Sequence, residues 1–302
     1  MTDHSLKSMP RDLQDRMAEI GPHWHEDIRK YSDMVKDAYA PLLAAAPKAD
    51  ATVTRDVAYG KHARQVLDLY APTAASNAPV VVFVHGGAFV RGDKSMPSGL
   101  YDNVLEWFAR QGFVGVNLEY RLAPEAVFPA AVDDVAAGLQ WVADNIASHG
   151  GDPRRVLLIG HSAGGTHAAS YVFDPQLGHA GKHVKALVLI SARLTADVLA
   201  ENPNAAHVKT YFGDDGELHA VRAPMAYAAC SDMPTFIVNA QYENPVLDLY
   251  GLEFAHRIAV ARRRAPRYLS MVGHNHMSIV AHFNTGEEVL GREIIDFFES
   301  VA

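Results

Sequence analysis

Cysteine is nearly absent. Cys230 is the one cysteine in 302 residues, which excludes an intrachain disulfide and is compatible with a reducing compartment. Long apolar runs are missing as well: no uninterrupted stretch approaches the roughly 20 residues that a membrane helix needs. The N-terminal Met1-Thr2-Asp3-His4-Ser5-Leu6-Lys7-Ser8 is too polar to hold the apolar core of a secretory leader. A soluble, cytoplasmic chain without membrane insertion is therefore expected. Nor is there an excess of positive charge. Lys and Arg number 27 against 35 Asp and Glu, for a net charge of −8, and the two signs are interspersed, so nucleic acid is not an expected partner. The one basic cluster, Arg262-Arg263-Arg264 with Arg267, closes a helical stretch, where cations suit the helix C-terminus. No internal repeat is visible, and the length suits one large α/β domain with a substantial core.

What is present is a change of rhythm along the chain. From Arg11 to about Ala46, the residues Leu13, Met17, Ile20, Trp24, Ile28, Tyr31, Met34, Val35 and Tyr39 recur at three- and four-residue intervals, a helical pattern that Gly21-Pro22 breaks in two. Strand signals begin at Thr52-Val53-Thr54 and Gln65 to Tyr70, an alternating pair that predicts an antiparallel edge. Then come short apolar strands separated by helical segments: Val80–Val84, Val114–Leu118, Val156–Ile159, Val184–Ile190, Thr235–Val238 and Arg267–Val272. That alternation predicts a mostly parallel sheet with helices on both faces. Eight strands in this layout predict the α/β-hydrolase fold. Residues 1–49 read as a helical N-terminal cap segment. Residues 50–302 read as the core, with an insertion at about 191–229 that is rich in Asn, Asp, Gly and Pro and is therefore expected to form loops and short helices.

Gly160-His161-Ser162-Ala163-Gly164 directly follows the fifth strand and opens an alanine-rich helix. A strand-turn-helix corner holds its central residue in an unfavourable backbone conformation, and small flanking residues let strand and helix approach closely enough to form it. Such a corner lifts the Ser162 hydroxyl clear of the sheet, and the Ala163 amide at the helix start points toward an oxyanion formed there. Ser162 is accordingly the candidate nucleophile, in preference to Cys230. His85-Gly86-Gly87-Ala88-Phe89 ends the third strand, where an oxyanion loop of the HGGG type is expected. Gly87, Ala88 and Ala163 are the candidate donors, with Gly86 shaping the turn. Ala88 replaces a third glycine and is expected to take a more ordinary backbone angle. His85 is expected to brace the loop. A base and an acid should follow the serine, in the order serine, acid, histidine. The loop after the last strand offers His274 and His276, and the loop after the seventh offers Glu243 and Asp248. His274-x-His276 also resembles a metal pair, but a pair without further clustered ligands does not specify zinc.

The HGGAF loop, Tyr120-Arg121-Leu122-Ala123-Pro124-Glu125, Phe128-Pro129-Ala130-Ala131-Val132-Asp133-Asp134 and the GHSAG corner together resemble the hormone-sensitive-lipase-like esterases. The resemblance is dense from Val80 to Gly165 and looser in the C-terminal third. It implies that Arg121 and Glu125 form an organising polar pair. His161, where many of those esterases carry Asp, points equally to kynurenine-formamidase-like and short-chain carboxylesterase relatives. Relatives place the histidine in a Gly-x-(Asp/Asn)-His-Phe pattern, which implies His276, with His274 as the alternative base. They place an aspartate just before a proline after the seventh strand, which implies Glu243, with Asp248 as the alternative acid.

These residues together imply acyl transfer without a cofactor or metal. The expected substrate is a small-molecule carboxylic ester, with a formamide or arylamide as the alternative. A non-catalytic binding module is the minor reading, disfavoured because no triad member is missing. The first step needs a neutral imidazole, so the rate is expected to fall on acidification through about pH 6.5. Phe89 and His161 are the substrate-pocket candidates. Trp24, Tyr31, Met34 and Tyr39, at helical spacing, read as core rather than as a pocket roof. A homodimer is compatible with the sequence but not specified by it.

Overall fold

A computed structural model describes residues 9–96 and 98–301; the polar N-terminal stretch 1–8 lies outside the described residues. Eight strands form one sheet: β1 (Ala51–Ala58), β2 (Val66–Pro72), β3 (Ala78–Val84), β4 (Val114–Leu118), β5 (Gly151–His161), β6 (Ala186–Ile190), β7 (Thr235–Tyr242) and β8 (Arg267–Asn275). Their spatial order is β1-β2-β4-β3-β5-β6-β7-β8. Only β2 runs against its neighbours, pairing antiparallel with β1 and β4, and every later pairing is parallel. This is the α/β-hydrolase fold.

The sheet is built by alternation within strands that are buried on both faces. In β3, Val80, Val82 and Val84 enter one apolar cluster, while Val81 and Phe83 enter the other. The first cluster is closed by α4 (Ala130–Asn145), α5 (Ala163–Phe173) and α8 (Leu247–Arg262); the second by α1 (Arg11–Ile20), α2 (Ile28–Ala45), α3 (Asp102–Arg110), α9 (Ser278–Ala281) and α10 (Val289–Glu299). No helix among the described residues is long and apolar enough to cross a membrane.

The N-terminal helices are integral to the second cluster. Trp24 and Tyr39 are buried in it, as the helical spacing suggested, and Tyr31 and Met34 pack on its margin. The insertion contains α6 (Ala205–Phe212) and α7 (Gly216–Arg222). It docks on the loop after β3 through aromatic faces: Tyr211 stacks on Phe89 with ring centroids 4.9 Å apart, and Phe212 meets Phe89 edge-on at 5.4 Å.

Two expectations need correction here. Arg121 does not pair with Glu125, which is exposed. Its guanidinium clasps Asp134 on α4, with Nη2 to Oδ1 at 2.7 Å and Nε to Oδ2 at 2.9 Å. The buried carboxylate is the one that a planar, forked donor can satisfy. Ala88 has φ 50° and Phe89 φ 71°, so the loop keeps its left-handed turn although the third glycine is gone.

Candidate active site

Three loops at the carboxyl edge of the sheet converge. Ser162 caps the N-terminus of α5 with φ 55° and ψ −119°, a conformation that costs of order 1–3 kcal/mol and persists only where packing dictates it. The packing is explicit. A Cβ on Gly160 would lie 2.6 Å from the Gly164 carbonyl oxygen, and one on Gly164 would lie 2.2 Å from that of Val84. The two glycines flanking the serine are thus required by the backbone crossing, for the reason the motif suggested.

His276 Nε2 lies 3.0 Å from Ser162 Oγ, and His276 Nδ1 lies 2.8 Å from Glu243 Oε2. The Glu243 side chain is 2% exposed. Its Oε1 accepts hydrogen bonds from the Ser191 hydroxyl and from the Ala240 amide, the latter at 2.9 Å. Burial pushes its carboxyl up, but the His276 ring and these donors outweigh that and hold it below the ordinary value of 4.5. The carboxylate therefore fixes the imidazole with Nδ1–H toward itself and the Nε2 lone pair toward the serine hydroxyl.

The competing candidates lie elsewhere. His274 is fully buried, with Nδ1 3.2 Å from Ser278 Oγ and Nε2 facing Glu287. Asp248 sits in the first turn of α8, outside the Ser162–His276–Glu243 chain of hydrogen bonds. His161 is not a pocket residue. It is buried behind the serine, where Nε2 donates to the His276 carbonyl at 3.1 Å and Nδ1 faces Tyr101 Oη at 3.3 Å. Burial, reinforced by the neighbouring His276, holds His161 well below 6.5, so it stays neutral, and the orientation of its ring follows from those two partners.

The loop after β3 lies across from the serine. A Cβ on Gly86 would stand 3.0 Å from Ser162 Cβ, and one on Gly87 (φ 155°) would collide with the Arg91 carbonyl at 1.7 Å. The close approach of Gly86 to Ser162 suits the turn-shaping role. The amides of Gly87, Ala88 and Ala163 have no acceptor among the described hydrogen bonds. His85 braces the loop: Nδ1 is 2.7 Å from the Gly86 carbonyl, Nε2 is 2.8 Å from Glu119, and the ring stacks on Tyr120 at 4.4 Å.

A cleft of about 10 Å³ over Ser162 is lined by Ala88, Phe89, Ala163, Arg193, Asn204, Asn244 and Leu247, so Phe89 does face it. That is room for about one water-sized centre. A larger hollow of about 420 Å³ lies between α1 and α2 and contains none of these groups. Several of the participants were not foreseen from the sequence. Ser191 and Arg193 follow β6 without a motif around them. Arg193 is buried beside the serine and bound to Asp197 at 2.6 Å, and Asn244 accepts from Trp24 Nε1 at 2.9 Å. The one available signal was position, since Ser191 follows a strand that ends at the same sheet edge.

A family profile, BD-FAE, matches residues 67–176. Esterase LipI of Mycobacterium tuberculosis is 32% identical over 207 residues, covering 62% of this chain and 61% of that protein. Carboxylesterase NlhH from the same species is 43% identical over 100 residues, covering 32% and 30%. A probable isoprenylcysteine alpha-carbonyl methylesterase of Oryza sativa is 37% identical over 131 residues, covering 43% and 30%. The chain thus spans less than two thirds of the length of each of these relatives. Among solved structures, a hyperthermophilic esterase from Pyrobaculum calidifontis superposes with a TM-score of 0.73 at 23% identity, covering 97% of this chain and 99% of that one. A bacterial heroin esterase gives 0.72 at 21%, covering 99% of both chains. The fold seen along the whole chain is thus shared with solved esterases.

Proposed function

We propose that this chain is a carboxylesterase-type serine hydrolase acting on small-molecule carboxylic esters through an acyl-enzyme. The observation that carries this reading is the continuous path Ser162 Oγ, His276 Nε2, His276 Nδ1, Glu243 Oε2, at 3.0 and 2.8 Å. In it, His276 Nε2 takes the serine proton as Oγ attacks the acyl carbonyl. The charge that develops on the carbonyl oxygen meets the amides of Gly87, Ala88 and Ala163, where one fixed donor is worth roughly 3–4 kcal/mol of barrier. His276 then protonates the leaving alkoxide, and water, deprotonated by the same imidazole, releases the acid and restores the serine. Glu243 stays ionised throughout and stabilises the imidazolium. The similarity to proteins named esterase and carboxylesterase supports the same chemistry.

In this reading the helical leader (1–49) and the insertion (191–229) roof the site, the first through the Trp24–Asn244 hydrogen bond and the second through Arg193 and Asn204. Formamide hydrolysis is the second reading, because it needs the same serine, imidazole and carboxylate. Cytoplasmic placement is supported by the single cysteine, and a homodimer remains a proposal for light scattering to decide. The test is turnover of p-nitrophenyl acetate and N-formylkynurenine by the chain and by Ser162→Ala, with fluorophosphonate labelling. We expect labelling at Ser162 and ester turnover that vanishes in the variant; an unlabelled serine, or activity that survives its removal, refutes the assignment.

A further inference from the structure

Beneath the loop that carries His276 lies a second polar cluster with no part in that chemistry. His274 and His282 are 0% exposed and Glu287 is 1% exposed, and one ligating atom from each falls within 4.8 Å of the others. The donor count decides what the cluster lacks. His282 Nδ1 is 3.1 Å from the Ser278 carbonyl, which only accepts, so Nδ1 carries the proton and Nε2 presents a lone pair. That Nε2 is buried without any hydrogen-bond partner. His274 Nδ1 is satisfied by Ser278 Oγ at 3.2 Å, and its Nε2 faces the Glu287 carboxylate at 3.2–3.3 Å. Glu287 Oε2 likewise lacks a hydrogen-bond partner, as does the buried Tyr39 hydroxyl on α2.

Ser278 Oγ gives its own proton to the Asn275 carbonyl at 3.4 Å and so accepts from His274 Nδ1–H, which turns a His274 Nε2 lone pair, like that of His282 Nε2, toward the Glu287 carboxylate. Leaving buried acceptors unpaired costs about 1–3 kcal/mol each, and a cation removes that cost for all three at once. The outer hydrogen bonds also match what a metal-bound histidine needs, with the second ring nitrogen anchored to a backbone carbonyl or hydroxyl. We propose that His274 Nε2, His282 Nε2 and Glu287 bind one divalent transition-metal ion of the zinc type. Two imidazoles and a carboxylate suit zinc in softness and number. Ligand atoms about 2.0–2.1 Å from zinc stand about 3.4 Å apart in a tetrahedron, so separations within 4.8 Å close by at most about 1.4 Å on binding. The site is structural: it pins residues 274 and 282 to each other and so anchors the loop that delivers His276. Because it is sealed from solvent, the ion enters during folding.

The experiment takes the tag-free full chain, unfolds it in guanidinium with EDTA, and refolds it with one equivalent of Zn²⁺ or Co²⁺, reading bound metal by plasma mass spectrometry and the visible absorption of tetrahedral Co²⁺. Near one ion per chain is expected, falling at least tenfold in His282→Gln and in the near-isosteric Glu287→Gln, with folding of each variant checked by fluorophosphonate labelling of Ser162 and by circular dichroism. Less than a tenth of an ion per refolded wild-type chain overturns the proposal and leaves a shared proton between His274 and Glu287 as the only bridge. Metal content equal to wild type in both variants overturns it as well. Neither result bears on ester hydrolysis, which is read separately.

Discussion

His161 Nε2 donates to the backbone carbonyl of His276 at 3.1 Å, so the residue just before the candidate nucleophile holds the residue that faces its hydroxyl. The other ring nitrogen meets Tyr101 Oη, at the end of the loop after β3, at 3.3 Å. One neutral imidazole therefore ties the serine corner, the loop after β3 and the loop after β8 together. Replacing it by Phe in His161→Phe removes both bonds and leaves the His276 carbonyl unpaired in the interior. We expect kcat on p-nitrophenyl acetate to fall about 10- to 100-fold, since small displacements of a reacting group cost rate on this scale, while KM moves less than threefold. Proportional loss of kcat and fluorophosphonate labelling rate is the signature; an unchanged kcat in a folded variant refutes the positioning role.

The acid is Glu243 rather than Asp248 if the hydrogen bonds to His276 and Ser191 carry function. Glu243→Gln keeps the shape but loses the charge that stabilises imidazolium, and a fall in kcat of about 10³- to 10⁴-fold is expected from triads of this kind. Ser191→Ala removes one donor to the carboxylate and should cost about tenfold or less, consistent with one hydrogen bond of about 1 kcal/mol. Asp248→Asn should leave the rate within twofold. Steady-state kinetics on the three variants decides the matter, and a reversed ranking of Glu243 and Asp248 overturns the assignment.

What the sequence disclosed, and what it withheld, follows from the range of the interactions. β3 and β5 were readable because both faces are buried, so their apolar runs are continuous. The Gly160 and Gly164 requirement was readable because backbone crossing at a strand-helix corner is a local matter. The candidate acids and bases were confined to two loops by fold topology. The role of His161 was not readable. Its ring direction is set by Tyr101, 60 positions earlier, and by His276, 115 positions later, and neither spacing leaves a trace in the residue itself. The Arg121–Glu125 expectation, drawn from the family resemblance, failed because burial favoured Asp134, 13 positions on in α4, as the partner of the guanidinium.

The glycines of the corner provide a stability test independent of chemistry. Gly164→Ala drives a Cβ to 2.2 Å from the Val84 carbonyl oxygen and 2.4 Å from that of His85, both backbone atoms of the central strand end, which cannot rotate away. A loss of about 3 kcal/mol or more is expected, at the upper end of overpacking costs. Gly178, at φ 73°, has nothing within 4 Å of such a Cβ, so Gly178→Ala should cost only the left-handed backbone penalty of about 1–2 kcal/mol. Urea unfolding of both variants reads the difference, and equal losses refute the packing argument.

His167 gives a signed dependence of stability on pH. Burial lowers its imidazole from 6.5 to about 3, amid the rings of Phe89, Tyr120 and Tyr211. Above about pH 6.5 the ring is neutral in folded and unfolded chains alike and contributes no pH dependence. As pH falls below that value the unfolded chain takes up a proton that the folded chain refuses, so stability drains at up to about 1.4 kcal/mol per pH unit until the folded value is reached. Between pH 7 and pH 5 this one group removes about 2 kcal/mol. Other buried groups titrate in the same interval, so the test is a difference: His167→Gln, which cannot titrate, should lose about 2 kcal/mol less than wild type between those pH values in urea unfolding. A variant whose stability falls as steeply as the wild type's would show that His167 is protonated in the folded chain and that its ring is not shielded from water.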